Sequence, residues 1–256
     1  MIFLHRFITN TFILLLLLSG QFTYAAGQVN VAVAGNFFKP LKELANEFES
    51  KTGHKIVISV GSSGKLFAQI SNGAPFDLFL SADQKRPTQL TQQNLAISDS
   101  QFTYAIGKLV FWSSIQNHIT MQGKYLRSPN LKYLAIANPA VSPYGEQTIR
   151  ALKKLGVYKY VKDKFVQGQN LGQTYQYISS GNIQQGIIAL SQVTHEGEIS
   201  SGSFWILPKS LYQPIKQDAV LLEKGRNNSV AKEFIAFLKT PLAIKIIRSF
   251  GYEVGT

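Results

Sequence analysis

Four short stretches place glycine beside a polar or aromatic residue, or a leucine, where a helical pattern begins: Gly35-Asn36, Ser62-Ser63-Gly64, Pro143-Tyr144-Gly145 and Asn170-Leu171-Gly172. A helix start leaves backbone N–H groups without intrahelical partners and carries the positive end of the macrodipole, so the chemistry available there is anion binding. Four such starts converging on one point make an anion site without any Lys or Arg, and Asn36 and Ser63 add an amide and a hydroxyl donor. Asn, Ser and Gly ahead of a helix are also ordinary caps, so each stretch taken singly reads first as a structural turn.

Nucleophilic catalysis is the competing chemistry. Ser62 or Ser63 with His54, His118 or His195 as base would make a serine-dependent hydrolase. Yet Gly61-Ser62-Ser63-Gly64-Lys65 lacks the spacing of a nucleophile elbow, and no histidine stands in a triad context. His54 follows Thr52-Gly53 and reads as a solvated turn residue. The serine stretch is too short between its glycines for a phosphate-binding loop and has Leu66 where a hydroxyl must reach magnesium. Asp77 and Asp83 have no third oxygen ligand near them in sequence, so no metal centre is expected. The absence of cysteine excludes thiolate zinc sites, iron–sulfur clusters and cysteine nucleophiles.

The elements that must position these turns alternate. Strand-like runs fall at 29–33, 55–60, 76–80, 109–112, 133–137, 185–189 and 219–222. Helical patterns follow Asn36, with Leu41, Leu44, Ala45 and Phe48 on one face, and follow Gly64, with Leu66, Phe67 and Ile70. Others cover about 145–155, 171–179, 230–238 and 242–250, the last two split by Thr240-Pro241. Asn36 is expected to cap the first helix, with Pro40 in its first turn. Alternating strands and helices argue for α/β architecture with largely parallel sheets. No internal repeat of fixed period is visible.

Residues 1–25 have the layout of a secretory signal peptide: His5 and Arg6, an apolar run over 12–18 too short to span a bilayer, and small residues at Ala25-Ala26. Without cysteine there is no lipoprotein acylation site, so a soluble periplasmic product is expected, with no stable membrane insertion. The 256-residue chain carries 26 Lys+Arg against 14 Asp+Glu, a formal charge of +12, and its 45% hydrophobic content is enough to build a core. Arg6 is the only counted charge in the leader, so the mature chain keeps +11. Such an excess suits nucleic acid, a membrane surface or an anionic small ligand. The clusters Lys153-Lys154 and 159–164, interleaved with Tyr158, Tyr160 and Phe165, have the makings of a stacking-plus-phosphate surface. Export argues against nucleic acid, and a solvated basic helix face is the plainer reading.

Three runs carry a family resemblance: Val31-Ala32-Val33-Ala34-Gly35-Asn36-Phe37, Ser59-Val60-Gly61-Ser62-Ser63-Gly64-Lys65-Leu66, and Gly73-Ala74-Pro75-Phe76-Asp77-Leu78-Phe79-Leu80-Ser81-Ala82-Asp83. They resemble the N-terminal lobe of periplasmic molybdate-binding proteins, the solute receptors of ABC-type molybdate importers. Ala137-Asn138-Pro139 with Pro143-Tyr144-Gly145 resembles the family's second-lobe anion loop, and Phe250-Gly251-Tyr252 its usual ending. The resemblance covers nearly the whole mature chain in order, and the run 73–83 is its most specific part.

The resemblance implies a two-lobed type II periplasmic-binding-protein fold, each lobe a mixed, mostly parallel sheet flanked by helices and joined by two crossover strands. It implies a non-enzymatic receptor without cofactor, monomeric, that holds molybdate or tungstate between its lobes and hands it to a membrane permease. A receptor for another tetrahedral oxyanion such as sulfate is the nearest alternative. By position, Asn36 stands where the family uses a Ser, Thr or Asn donor and Ser63 matches its second hydroxyl. Tyr144 and Leu171 fall where it donates backbone N–H groups, with Gly35 and Ser62 as adjacent donors. Some members place a Tyr hydroxyl on the ligand where this chain has Ala189, which cannot donate. The expected lobes are 26–107 plus 217–256 and 108–216, crossing near Gly107-Lys108 and Ile215-Lys216.

Overall fold

A computed structural model describes residues 26–120, 122–199 and 201–255, so the expected signal peptide lies outside the described residues. The chain first lays down β1 (Gln28–Ala34), β2 (Lys55–Gly61), β3 (Leu78–Leu80) and β4 (Phe102–Gly107). One residue, Lys108, separates β4 from β5 (Leu109–Ser113), which opens a second sheet continued by β6 (Leu134–Ala137), β7 (Phe165–Gly168) and β8 (Gly186–Ala189). A short hairpin of β9 (Thr194–His195) and β10 (Glu198–Ile199) precedes β11 (Ser203–Ile206), and β12 (Ile215–Leu221) returns to the first sheet.

The first sheet has the order β2-β1-β3-β12-β4 and the second the order β11-β5-β8-β6-β7. Both are mixed, as expected. In the first, β1 pairs in parallel with β2 and β3, and β12 runs antiparallel to β3 and β4. In the second, β6 pairs in parallel with β7 and β8, and β5 runs antiparallel to β8 and β11. The two sheets therefore share one plan, in which a central strand (β1 or β6) is flanked by the next two strands of the chain. In such a sheet the helical crossovers leave to opposite sides, and the carboxyl ends of the central strand and its neighbour border one crevice.

Helix α1 (Phe38–Thr52) follows a 3₁₀ turn at Gly35–Phe37 and buries Leu41, Leu44, Ala45 and Phe48 at helical spacing. Gly53 ends it at φ 72°, its N–H bonded to the Glu49 carbonyl. Pro40 lies in the first turn, as expected. Asn36 does not cap this helix: it lies inside the 3₁₀ turn, and no side-chain cap bond is made there. Helices α2 (Ser63–Ser71) and α3 (Lys85–Gln92) complete the first half of the chain. In the second half come α4 (Pro143–Lys154), α5 (Tyr158–Val161) and α6 (Leu171–Ser179), and near the end α7 (Ser229–Phe237) and α8 (Pro241–Ser249).

Strand alternation in the first sheet sorts its side chains into two cores. Val31, Val33, Leu78, Leu80, Ala219 and Leu221 pack with α1, α7 and α8, while Ala32, Phe79 and Val220 face Leu66, Ile70 and Leu90 of α2 and α3. Burial on both faces explains why β1 is apolar without alternation from Val31 to Ala34. The second sheet has its own core around β5, β6 and β8. Strand β12 starts four residues before the expected 219, because Ile215 already pairs with Gly107, and its register shifts between Gln217 and Asp218.

Candidate functional site

Each of the four turns sits at the carboxyl end of a strand in the shared plan: Gly35-Asn36 after β1, Ser62-Ser63 after β2, Ser142-Tyr144 beyond β6 and Asn170-Leu171 after β7. Local capping then decides which N–H groups remain for an external acceptor. At α2, Ser62 is the cap: its Oγ accepts from Lys65 N–H at 3.4 Å and its carbonyl from Leu66 N–H, while Gly64 N–H goes to the Val141 carbonyl at 2.9 Å. Ser63 N–H is left over. At α4, Pro143 has no N–H, and Gly145 and Glu146 donate to Ser142 Oγ and O, which leaves Tyr144. At α6, Gln173 and Thr174 donate to Asn170 Oδ1 and O, which leaves Leu171 and Gly172. Each cap thus consumes the deeper donors of its turn and spares the first ones.

The turns meet across the two sheets. A Cβ placed on Gly35 would stand 3.2 Å from Gly172 N and 3.7 Å from Leu171 N, so the β1 turn approaches the start of α6 closely enough that a larger residue would push the two apart by a few tenths of an ångström. The Gly64–Val141 bond joins the start of α2 to the loop before α4. Ser191 Oγ donates to the Asn36 carbonyl at 3.0 Å. Two cations bridge at the flanks: Lys39 Nζ donates to the Gln192 carbonyl at 2.8 Å and Lys65 Nζ to Gln169 Oε1 at 2.7 Å. Burial lowers the pKa of Lys39.

Asn36, Ser62, Ser63, Tyr144 and Leu171 are all buried, and Gly35 is half-buried. Ser63 Oγ accepts from the Ala82 N–H at 2.9 Å, which fixes the oxygen and leaves the hydroxyl proton for another acceptor. Asn36 Nδ2 lies 2.6 Å from Gln217 Oε1 and 2.9 Å from the Tyr252 hydroxyl, and Asn36 Oδ1 is buried without a partner. The Tyr144 side chain turns away from its own backbone donor and meets Gln217 Nε2 at 3.2 Å. Burial, the leading cause in each case, raises the Tyr104, Tyr144 and Tyr252 pKa values above the ordinary phenol value, so these hydroxyls stay protonated at neutral pH. Gln217, Tyr252, Ser191 and Tyr104 were not singled out as site residues by sequence reasoning. Only Tyr252 carried a signal, through the Phe250-Gly251-Tyr252 ending.

Ala189 closes β8 with its N–H turned to Gln192 Oε1 at 3.2 Å, so that position supplies no side-chain donor. None of the three described histidines bonds Ser62 or Ser63. His54 accepts from Gly27 N–H and lies 3.4 Å from Glu233, His118 meets Gln185 and the Tyr125 hydroxyl, and His195 pairs with Glu43. The expectation of a solvated His54 is corrected here: its side chain is only 11% exposed, because its ring caps the start of β1. Asp77 accepts from Asn30 and Asp83 pairs with Arg86, and no metal-holding group of three His or acidic residues occurs among the described residues.

Residues 29–253 match the model of the bacterial extracellular solute-binding protein family. The chain is 44% identical over 227 residues to the molybdate-binding protein ModA of Azotobacter vinelandii, covering 89% of this chain and 90% of that one. It is 45% identical to ModA of Rhodobacter capsulatus, with 89% of each chain covered. The solved periplasmic molybdate-binding protein of Azotobacter vinelandii superposes with a TM-score of 0.86 at 38% identity, over 89% of this chain and 100% of that chain. A sulfate-binding protein of Mycobacterium tuberculosis shares the fold at 14% identity and a TM-score of 0.70. With capped helix starts drawn together between two mixed sheets, and with relatives this close over nearly its whole described length, the chain belongs to the family of bacterial extracellular solute-binding proteins.

Proposed function

We propose that this protein is the periplasmic receptor of an ABC-type importer, that it binds molybdate and tungstate between its two halves, and that it carries out no chemistry on them. The observation that carries the reading is the donor count: after capping, Ser63, Tyr144, Leu171 and Gly172 N–H and the Ser63 hydroxyl remain, all neutral donors. Asn36 supplies the side-chain contact from the β1 turn, with Gly35 and Ser62 beside it. A fully deprotonated tetrahedral oxyanion offers only acceptors, so such a set satisfies it with charge-assisted bonds. A protonated phosphate brings a donor that finds no acceptor, at a cost of about 1–3 kcal/mol. Sulfate carries no such proton and is rejected by size alone, whereas tungstate is close enough in size to molybdate to enter.

Hinge closure suits lobes of residues 26–107 plus 217–256 and 108–216, with crossings at Lys108 and at the start of β12. The chain then works as a soluble monomer after loss of residues 1–25, and no described helix is long and apolar enough to cross a membrane. The formal charge of +11 that remains lies outside the donor set and raises the encounter rate of a dianion.

Isothermal titration of the mature chain with molybdate, tungstate, sulfate and phosphate tests the reading. Micromolar or tighter binding of the first two and far weaker sulfate binding are expected, and a preference for sulfate overturns it. Ser63→Ala removes one donor and strands the Ala82 N–H, so molybdate affinity falls about tenfold while tungstate and molybdate keep their ratio. An unchanged molybdate dissociation constant would remove Ser63 from the site.

A further inference from the structure

We propose that Gln217 is a positioning residue that decides which atom of the Asn36 amide meets the anion. This rests on the receptor reading above. With Asn36 Nδ2 toward Gln217 Oε1 and the Tyr252 hydroxyl, the atom left over is Oδ1, an acceptor, buried and without a partner. An oxyanion brings only acceptors, so Oδ1 repels it. The oxygen and nitrogen of an amide occupy nearly the same shape, and the hydrogen-bond network selects between them.

Turning both amides over keeps every neighbour. Gln217 Nε2 then donates to Asn36 Oδ1, and Gln217 Oε1 accepts from the Tyr144 hydroxyl. The Tyr252 hydroxyl donates to Asn36 Oδ1 as Ser191 serves the Asn36 carbonyl. Tyr104, whose hydroxyl donates to the Ser81 carbonyl, accepts from Gln217 Nε2 in this arrangement. The atom left over is now Nδ2, a donor waiting for an acceptor. Gln217 can do this because it has both a donor and an acceptor and is fully buried on β12, where its pairing with Ala105 ends and the register passes over Tyr104 of β4. Its neighbour Asp218 faces a separate group, Gln84, Gln101 and Thr103. Gln217 also joins two of the proposed anion contacts, Asn36 from the first sheet and Tyr144 from α4, through one side chain on the returning strand.

A double-mutant cycle on the mature chain, with molybdate as the probe, separates this role from a purely structural one. Gln217→Met keeps the volume and removes both polar atoms, freeing the Asn36 amide to adopt either orientation. Asn36→Ser replaces the amide by a hydroxyl, a donor that needs no amide partner to orient it. The expected result is about a tenfold weaker dissociation constant for Gln217→Met and no further loss when it is added to Asn36→Ser. Equal losses in both backgrounds, or no loss in either, overturn the proposal and leave the receptor reading standing. A wild-type protein that takes up neither molybdate, tungstate nor sulfate overturns the receptor reading and this inference with it. Melting temperatures of the anion-free variants check folding, and Gln217→Leu supplies the same pair of measurements if the methionine variant does not fold.

Discussion

Asn36→Asp weakens molybdate binding at neutral pH by about a hundredfold or more, the largest effect expected of any single substitution in this chain. Asp has the shape of Asn but offers only acceptors when ionised. Its carboxylate fits the protein side of the network, since Gln217 Nε2 and the Tyr252 hydroxyl can both donate to it, so the variant is expected to fold. Toward the ligand it presents oxygen and negative charge to a dianion in a buried position, where like charges are poorly screened. Burial also raises the pKa of the introduced carboxyl, and a bound dianion raises it further. The sign of the pH dependence follows. The neutral acid has lost its charge and gained an O–H donor, so the variant recovers affinity as pH falls, while the wild type, with no ionisable side chain among its proposed contacts, shows no such gain. Titration at several pH values with Asn36→Ser as a control that retains a donor provides the check. An Asp variant that binds like wild type across that range would falsify the side-chain contact.

The alternating α/β plan was legible because its signals are local. Strand β1 is an apolar run buried on both faces, and α1 shows its stripe at 41, 44, 45 and 48. The elements that escaped lack such signals. Helix α3 buries only Pro87 and Leu90, and β11 is an edge strand with no buried residue. Strand β4 alternates too weakly to stand out, and β12 opens as Ile215-Lys216-Gln217-Asp218, whose two buried polar residues pair with a strand more than a hundred residues earlier. The four turns were legible as capped helix starts, but their meeting was not, since nothing local in Gly35 points to Leu171. The network behind Asn36 is further still from sequence: Gln217 meets Asn36, Tyr104 and Tyr144 across separations of 181, 113 and 73 residues. The expected cap at Asn36 failed because the residue lies inside the 3₁₀ turn ahead of α1, its side chain held in the network of Gln217 and Tyr252, and its Oδ1 accepts no N–H of the helix. The shared plan of the two sheets was also hidden. Helices and loops of unequal length separate the corresponding strands, so a repeat in topology leaves no fixed period in sequence.

Leu171→Pro tests the most unusual feature of the proposed site, a contact to the anion by backbone under a side chain with no affinity for it. Position 171 is the first of α6, where proline is accepted because that N–H has no intrahelical partner and the ring's φ suits a helix start. The residue before it, Asn170, has φ −153° and ψ 174°, the extended conformation that a following proline requires. The cap survives, since Asn170 Oδ1 and O accept from Gln173 and Thr174, deeper in the turn. The substitution therefore deletes one N–H and part of a buried leucine, and little else. Leu171→Ala deletes the packing and keeps the N–H, so the pair separates the two contributions. Both variants should melt below the wild type, by an amount consistent with about 2–5 kcal/mol for the alanine. Only the proline variant should lose molybdate affinity, by about tenfold to a hundredfold, because it leaves a buried, charged acceptor without one of its donors. Wild-type affinity in both would place the Leu171 N–H outside the site, and equal losses in both would assign the effect to packing. The donors would then reduce to Asn36, Ser63, Tyr144 and Gly172, with one N–H fewer from α6, and discrimination against phosphate would weaken with that loss.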